Sequence, residues 1–482
     1  MTTLDVAVVG AGPAGLTAAT LCAERGLSTS LYDEHRAPGG QIYRGITTAS
    51  RARAEFLGED YWRGATLVPP FERSGARYVR DATVWAIARR ADGTFGVSVS
   101  AGPPEARFAT TVESRAVVLA AGAQERPFPI PGWTLPGVVA AGGAQLLLKT
   151  AGIVPRGRVV LAGCGPLLWL LATQYLRAGV EIAAFLDTTP RGRLAQAAPL
   201  APGFMLSPYL AKGLDLVRFV RRRVRVVEYV TELAVEGATA AEAVRFRHGS
   251  REETLQADLV LLHQGIVPDV ALAAAAGCAL GWNDAQACFA PVVDAWGGTS
   301  VPGLYVAGDG AGIAGAEAAE PRGRLTALAV ANALGRIDGG ARDAAATPHR
   351  RDLAQALRGR AFLDALYRPA DAFRIPHGDT IVCRCEEVTA ATILQIARGG
   401  CAGPNQMKAY TRCGMGPCQG RFCGLTVTEL IAQAQRRKPA DVGALRARFP
   451  VKPVTLGEVA ALPASDEAVR AVVRAPEGDA GH

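Results

Sequence analysis

The run LDVAVVGAGPAGLTAATLCAERGLSTSLYDE, residues 4 to 34, constrains the fold more than any other stretch. Its apolar opening predicts a buried parallel strand, Gly10, Gly12 and Gly15 complete GxGxxG, and the alanine-rich stretch to Arg25 predicts a helix. A second strand then ends at Asp33. Gly10 permits the tight turn, Gly12 lets backbone approach a pyrophosphate, and Gly15 allows close helix packing. Pro13 and Ala14 carry the turn into the first helical residues, where the helix N-terminus favours phosphate charge. Asp33 is placed to hydrogen-bond a ribose. Strand, glycines, helix, strand and acid in that order predict a dinucleotide-binding unit.

The plan recurs. GRVVLAGCGPLLWLLATQYLRAGVEIAAFLD places Gly163 and Gly165 each 153 positions after Gly10 and Gly12, followed by Pro166 and Leu167. Leu168 replaces the third glycine, and Asp187 falls one residue later than the first copy predicts. These residues leave the second ligand open among NAD, NADP, an adenine nucleotide and none.

SRAVVLAAGAQERPFPIPG is a strand ending in small residues at Ala121 and Gly122, and VPGLYVAGDGAG is another ending at Gly308 and Asp309. Small residues at strand ends admit a large cofactor, and the Asp309 carboxylate can accept hydrogen bonds from a chain of hydroxyls. GAGPAG, AAGA and LYVAGDGAG, in this order, resemble the FAD-binding elements of the flavoproteins with two dinucleotide-binding domains. That resemblance implies an α/β fold in which the FAD domain is split around an inserted NAD-like domain, with Asp309 on the ribityl and phosphate region of FAD. PGGQIYR adds Gly40, Gln41 and Arg44 as flavin-lining candidates.

Disulfide reductases of that superfamily carry a cysteine pair beside the flavin, and neither PGGQIYR nor GCGPLL contains one. Cys22 and Cys164 are single and read as buried structural residues. Electrons leaving such a flavin need another carrier. Six of the ten cysteines fall between residues 383 and 423. Cys383, Cys385, Cys413 and Cys418 give CxC, 27 intervening residues, then CxxxxC. Alternation in an extended VCRC puts the first two thiols on one side, and the glycines of CGMGPC let the second pair wrap a turn from which Pro417 can start a helix. Four thiolates suit zinc or a [2Fe-2S] cluster equally by count. Cys423 is the rival ligand in a stretch that looks helical. Cys278, Cys288 and Cys401 read as structural or loop cysteines.

CRCEEVT with KAYTRCGMGPCQGRFC is similar to the bacterioferritin-associated-ferredoxin-like [2Fe-2S] domain. Together with RPFPIPGWTLPGVVAAGGAQLLLK, LLHQGIVPD and the tail RARFPVKPVTLGEVA, it resembles the larger subunit of opine oxidases, D-hydroxyproline dehydrogenases and the cyanide-forming glycine dehydrogenase. The α subunit of heterotetrameric sarcosine oxidase is a more distant likeness. The resemblance implies an electron-transfer subunit carrying FAD and a [2Fe-2S] cluster. It also implies a smaller FAD-containing oxidase-like partner that oxidises the amine or amino acid, a further candidate partner in the form of a small ferredoxin-like subunit, and a downstream electron acceptor. The catalytic residues are then unknown from this chain. A stand-alone NAD(P)H-dependent reductase and a structural subunit with vestigial sites are the alternatives. No histidine pairs with an orienting acid at a telling spacing, which leaves His35, His263 and His377 without a general-base role.

With 482 residues, 49% of them hydrophobic and 20% charged, the chain predicts several globular domains. No apolar run reaches the ~20 residues of a membrane span, and the first strand starts too near Met1 for a signal peptide, so the expected place is the cytoplasm, with the inner face of a membrane as an alternative. The net charge of +8 comes from dispersed arginines without an aromatic-interleaved basic module, which argues against nucleic acid. The expected layout is an FAD domain at 1–125 and 288–336, an inserted domain at 126–287 and a linker at 337–378 with one helix from Asp352 to Tyr367. A [2Fe-2S] domain at 379–430 and a tail at 431–482 follow. The likeness to the sarcosine oxidase assemblies implies that the tail's residues 446–460 contact the partner, and its last fifteen residues read as mobile.

Overall fold

Strands β1 (Leu4–Val9), β2 (Thr29–Tyr32) and β3 (Arg77–Val79) are parallel, with helix α1 (Pro13–Glu24) crossing between the first two. The computed structural model describes residues 3–51 and 55–463. Val6 to Val9 are buried because a parallel strand is covered on both faces, which is why the run is continuously apolar. β4 (Ala82–Arg89), β5 (Phe95–Ala101) and β6 (Phe108–Leu119) follow as an antiparallel meander. The twelve residues of β6 serve two neighbours: Phe108 to Ser114 run antiparallel to β5, and the stretch onward to Leu119 runs parallel to β1. The order is β3-β2-β1-β6-β5-β4, completed by Leu304–Val306 parallel to β6.

That last strand arrives only after the chain has built a second sheet. β7 (Ala123–Glu125) leaves the first domain, and β8 (Val138–Ala140), helix α2 (Ala141–Ala151), β9 (Val159–Cys164), helix α3 (Pro166–Arg177), β10 (Ile182–Asp187) and β11 (Val226–Val227) follow. A three-stranded antiparallel sheet, β12 (Val230–Glu236), β13 (Ala243–His248) and β14 (Arg251–Gln256), precedes β15 (Leu259–Gln264), and β16 (Ile266–Pro268) pairs back with β7. The second sheet is wholly parallel, in the order β11-β10-β9-β15-β8. The FAD-type domain is thus split around an inserted Rossmann-like domain. Leu161 and Leu171 are fully buried in the core the two domains share, each contributing about 2 kcal/mol of apolar burial. The expected boundary at residue 288 cuts a hairpin, Leu280–Asn283 antiparallel to Cys288–Pro291, whose turn holds Ala287 at φ +47°.

The linker carries three helices rather than one, the last being the short Asp371–Arg374. Asp338 caps the first, Gly339–Ala356, by accepting from Ala341 N at 2.8 Å, and Gly359 at φ +82° breaks the chain before the second, Arg360–Leu366. The expected single helix from Asp352 therefore spans a break that the glycine dictates. Beyond it, Ile381–Cys383 and Val388–Thr389 form a short ladder, and helices Ala390–Arg398, Pro404–Thr411 and Gly424–Gln435 close a small core around Ile393, Met407 and Leu430. Val442 belongs to the same core, so the expected edge at residue 430 falls inside a helix.

Residues 446–460 lie on their own chain. Val451, fully buried, donates to Trp85 O at 3.0 Å and accepts from the Arg421 guanidinium at 2.8 Å, and Lys452 pairs with Glu34. Their inner face is spent within the molecule, while Leu456 and Val459 remain exposed. The end of the tail, 464–482, lies outside the described residues. No described helix is long and apolar enough to cross a membrane.

Candidate functional site

The first glycine turn is shaped by contacts that only glycine tolerates. Gly10 has φ +101°, and a Cβ there would stand 2.4 Å from Ala120 O; a Cβ on Gly15 would stand 1.8 Å from Gly10 O. A Cβ on Gly12 would meet only Gly40 Cα, at 3.9 Å, and Gly40, at φ +59°, packs so close that its own Cβ would stand 2.7 Å from Gly12 Cα. Pro13 and Ala14 are buried in the first turn of α1. The backbone between Gly10 and Gly40 therefore forms a cradle at a helix N-terminus, which fits a pyrophosphate. Asp33 closes it: Oδ2 accepts from Ala11 N at 2.6 Å, and Oδ1 accepts from His35 N at 2.9 Å with His35 Nδ1 at 3.0 Å. Burial pushes the Asp33 carboxyl up, and the Ala11 hydrogen bond opposes that.

Arg44 bends back on the same loop, donating to Gly40 O at 3.1 Å and to Gln41 Oε1 at 3.2 Å. Lys149, on α2, reaches Gln41 O at 3.3 Å and Gln145 Oε1 at 2.9 Å. It was not legible as a site residue because it enters from the inserted domain. Burial takes its amine down to about 7, with the nearby Arg44 cation adding to the effect.

The far wall is the Gly308–Asp309 turn. A Cβ on Gly308 would meet Ala14 Cβ at 2.8 Å, and one on Gly323 would meet Ala14 O at 2.2 Å, so α1 and helix Ala316–Ala333 cross at small residues. Asp309 Oδ1 accepts from Ala314 N and Gly315 N, both at 2.8 Å, which leaves Oδ2 for a ligand. Ala121 and Gly122 lie between these walls, Gly122 N and O being 3.6 Å from the Cβ position of Gly310.

The second turn differs. A Cβ on Gly163 would stand 1.7 Å from His263 O, and one on Gly165 would stand 3.2 Å from His263 Nε2. Leu168 is fully buried where the first copy has its packing glycine. Asp187 Oδ1 accepts from Thr189 N at 2.8 Å, and burial raises its carboxyl. Pro166 and Leu167 begin α3, at the mouth of this turn. The linker reaches across that mouth: Cys164 Sγ lies 3.6 Å from Tyr367 O, and the Tyr367 ring is close enough to Asp187 and Cys164 that both push its phenol further up, after burial. Phe362 stacks on Phe204 at 4.3 Å to hold the linker there.

Spacing along the chain discloses no orienting acid for a histidine, but the fold supplies one. His263, 2% exposed at the end of β15, pairs through Nδ1 with Glu125 Oε1, while Glu125 Oε2 accepts from Gly142 N at 3.1 Å. The acid lies 138 positions upstream and is brought in by β7, so spacing along the chain hides the pair. His35 with Asp33 and His248 with Glu253 are further acid-paired histidines. His377 borders an open surface cavity.

Five thiols gather in the appended domain. The Sγ atoms of Cys383, Cys413 and Cys423 all lie within 4.8 Å of one another and are buried. Hydrogen bonds from the Cys413 and Cys423 thiols hold the Cys383 thiolate down at about 2. Cys385 is exposed and hydrogen-bonds Cys418, whose own exposure is intermediate. The expected one-sided pair in an extended VCRC does not form, because the strand ends at Cys383 and Glu387 takes φ +51° in the turn. Cys423 caps helix Gly424–Gln435 instead of lying within it, and Pro417 starts no helix. Closely spaced soft thiols of this kind fit zinc or iron–sulfur chemistry.

The split double dinucleotide fold and the glycine cradle define a FAD-dependent oxidoreductase. Residues 4–333 match the family described as Pyridine nucleotide-disulphide oxidoreductase, and residues 377–462 match the Sarcosine oxidase A3 domain. The chain is 49% identical to the opine oxidase A subunit of Agrobacterium tumefaciens (strain Ach5), over 97% of this chain and 93% of that one. It is 31% identical to the HcnB subunit of hydrogen cyanide synthase from Pseudomonas protegens, over 97% and 99%. L-Proline dehydrogenase from P. horikoshii shares the fold, with a TM-score of 0.70 and 20% identity over 95% of this chain and 79% of that one. The chain belongs to the pyridine nucleotide-disulphide oxidoreductase family, in the branch that holds HcnB and the opine oxidase A subunit.

Proposed function

We propose that this chain is the electron-transferring subunit of a heteromeric FAD-dependent dehydrogenase of amino acids or secondary amines such as opines. A smaller oxidase-like partner oxidises the substrate, and this chain relays the electrons through FAD and a [2Fe-2S] cluster to a downstream acceptor. The observation that carries the reading is the convergence of five thiols in a domain appended to a flavin fold whose Gly40 loop has no cysteine pair.

When bound, FAD supplies two-electron chemistry and the cluster takes electrons singly. The chain's residues do the rest. Gly10, Gly12, Gly15 and Gly40 present backbone to the pyrophosphate, and Asp33 and Asp309 hold polar edges of the cofactor. Ala121, Gly122 and Gly308 leave room for it. Cys383, Cys385, Cys413 and Cys418 are the proposed cluster ligands, with Cys423 competing by its place beside Cys383 and Cys413. An adenine nucleotide or NAD at Gly163, Gly165 and Asp187 requires the Tyr367 segment to move.

Anaerobic purification tests this reading. The expected protein is yellow-brown, contains iron and sulfide, and shows a dithionite-reduced cluster signal by electron paramagnetic resonance that Cys413→Ser abolishes. Cys418→Ser and Cys423→Ser, compared side by side, identify the fourth ligand. Reduction by an opine or amino acid is expected only with the partner subunit present. Iron-free protein, or rapid flavin bleaching by NADH in the isolated chain, overturns the proposal.

A further inference from the structure

A hydrogen bond links the flavin fold to the thiol loop. Gln124 Nε2 donates to Arg421 O at 2.8 Å. Gln124 lies in β7, two residues beyond Gly122 in the cofactor turn, and Arg421 lies between Cys418 and Cys423. The loop is pinned a second time: the Arg421 guanidinium donates to Val451 O at 2.8 Å, and Val451 N donates to Trp85 O at 3.0 Å on the first sheet. A cavity of about 80 Å³ beside the contact is bordered by Val267, Pro268, Gly420 and Leu445. Leu445 presses on the loop so closely that a Cβ on Gly420 would stand 1.8 Å from it.

We propose that Gln124 is the positioning residue for electron crossing from the flavin domain to the thiol domain. The inference rests on the reading of the thiols as a [2Fe-2S] site. Tunnelling falls off steeply across empty space and less steeply along bonds and hydrogen bonds. Gln124 joins the strand leaving the Ala121–Gly122 turn to the Cys418–Cys423 loop by a single side-chain hydrogen bond, beside the cavity that Gly420 and Leu445 border. Each crossing moves one electron from reduced flavin to oxidised cluster, with no bond formed or broken between them. In the single-flash assay an added amine donor, EDTA, supplies the electrons that reduce the flavin, one of them passes to the oxidised cluster, whose reduction is the end point read, and the protons of the reduced flavin leave to solvent.

The test uses the full chain with both cofactors, flash-photoreducing the flavin anaerobically and following cluster reduction. Gln124→Leu keeps the volume and removes the donor. It is expected to retain wild-type flavin and iron and to transfer at least about tenfold more slowly, the equivalent of about 1.4 kcal/mol of barrier. Gln124→Glu is expected to be slow at neutral pH and to recover as the pH falls toward the carboxyl range of about 4, where the protonated acid donates to Arg421 O. Wild-type rates in Gln124→Leu with full cofactors overturn the inference alone. Should Gln124→Leu lose iron, Gln124→Glu decides: a pH-independent rate overturns the inference. A wild-type chain with flavin and no iron overturns this inference and the parent reading together, and iron analysis reports that separately.

Discussion

The two glycine turns repeat one plan and differ in what faces them. The first keeps three glycines, packs against Gly40, and meets only backbone and small side chains. The second has Leu168 in the packing position, His263 against Gly165, and the Tyr367 segment over its mouth. A dinucleotide turn needs its strand and glycines to fold, but it needs vacant space to bind. The second turn retains the first requirement, and its vacant space is narrowed by the linker.

Substituting the two turns in parallel gives the largest contrast. Gly15→Ala places a methyl 1.8 Å from Gly10 O, which backbone cannot evade, so the expected product is flavin-free and poorly folded. Gly165→Ala meets only the tip of His263 at 3.2 Å, and its main cost is the φ of +119°, on the order of 1–3 kcal/mol. Visible flavin absorbance and melting temperature separate them: loss of flavin in Gly15→Ala, and retained flavin with a lower melting temperature in Gly165→Ala. Equal flavin loss in both would mean that the second turn supports the first cofactor.

The first turn was readable because its chemistry lies within one stretch of chain. Gly10, Gly12, Gly15 and Asp33 act on one another, so order and spacing carry the information. Lys149, Glu125 and Tyr367 were not readable because each reaches its neighbours across an insertion or linker whose path only the folded chain defines. The thiol region shows both cases. Its cysteines were visible as a cluster, but the grouping of Cys423 with Cys383 and Cys413 depends on where a strand stops and a helix begins, and local alternation does not resolve that.

A smaller effect is expected from opening the second mouth. Tyr367→Ala removes the ring beside Asp187 and Cys164 while leaving the linker backbone in place. In the holoprotein, calorimetric titration with ADP is expected to give binding at least about tenfold tighter than in wild type, a gain of about 1.4 kcal/mol. Flavin content should not change. Identical ADP titrations in both proteins would show that the linker is no barrier and that the residues of the turn themselves decide occupancy.

The smallest effect concerns what stands behind each turn. Behind the second, His263 has a carboxylate partner in Glu125; behind the first, Lys149 has, among the described residues, only the oxygens of Gln41 and Gln145. Its folded value of about 7 lies below the unfolded value of about 10.4. Between those values the unfolded chain holds a proton that the folded chain has released. Stability therefore rises with pH across that window, by at most about 1.4 kcal/mol per pH unit from this group. Below pH 7 both states carry the charge and the burial penalty is present in full. Lys149→Met keeps most of the buried volume and removes the titration. Thermal melts of the flavin-bound chain at pH 7 and pH 9 are expected to show a smaller pH-driven rise for the variant than for wild type. Parallel shifts in the two proteins would mean that the Lys149 amine stays charged throughout, with a cofactor oxygen supplying the anion the protein lacks.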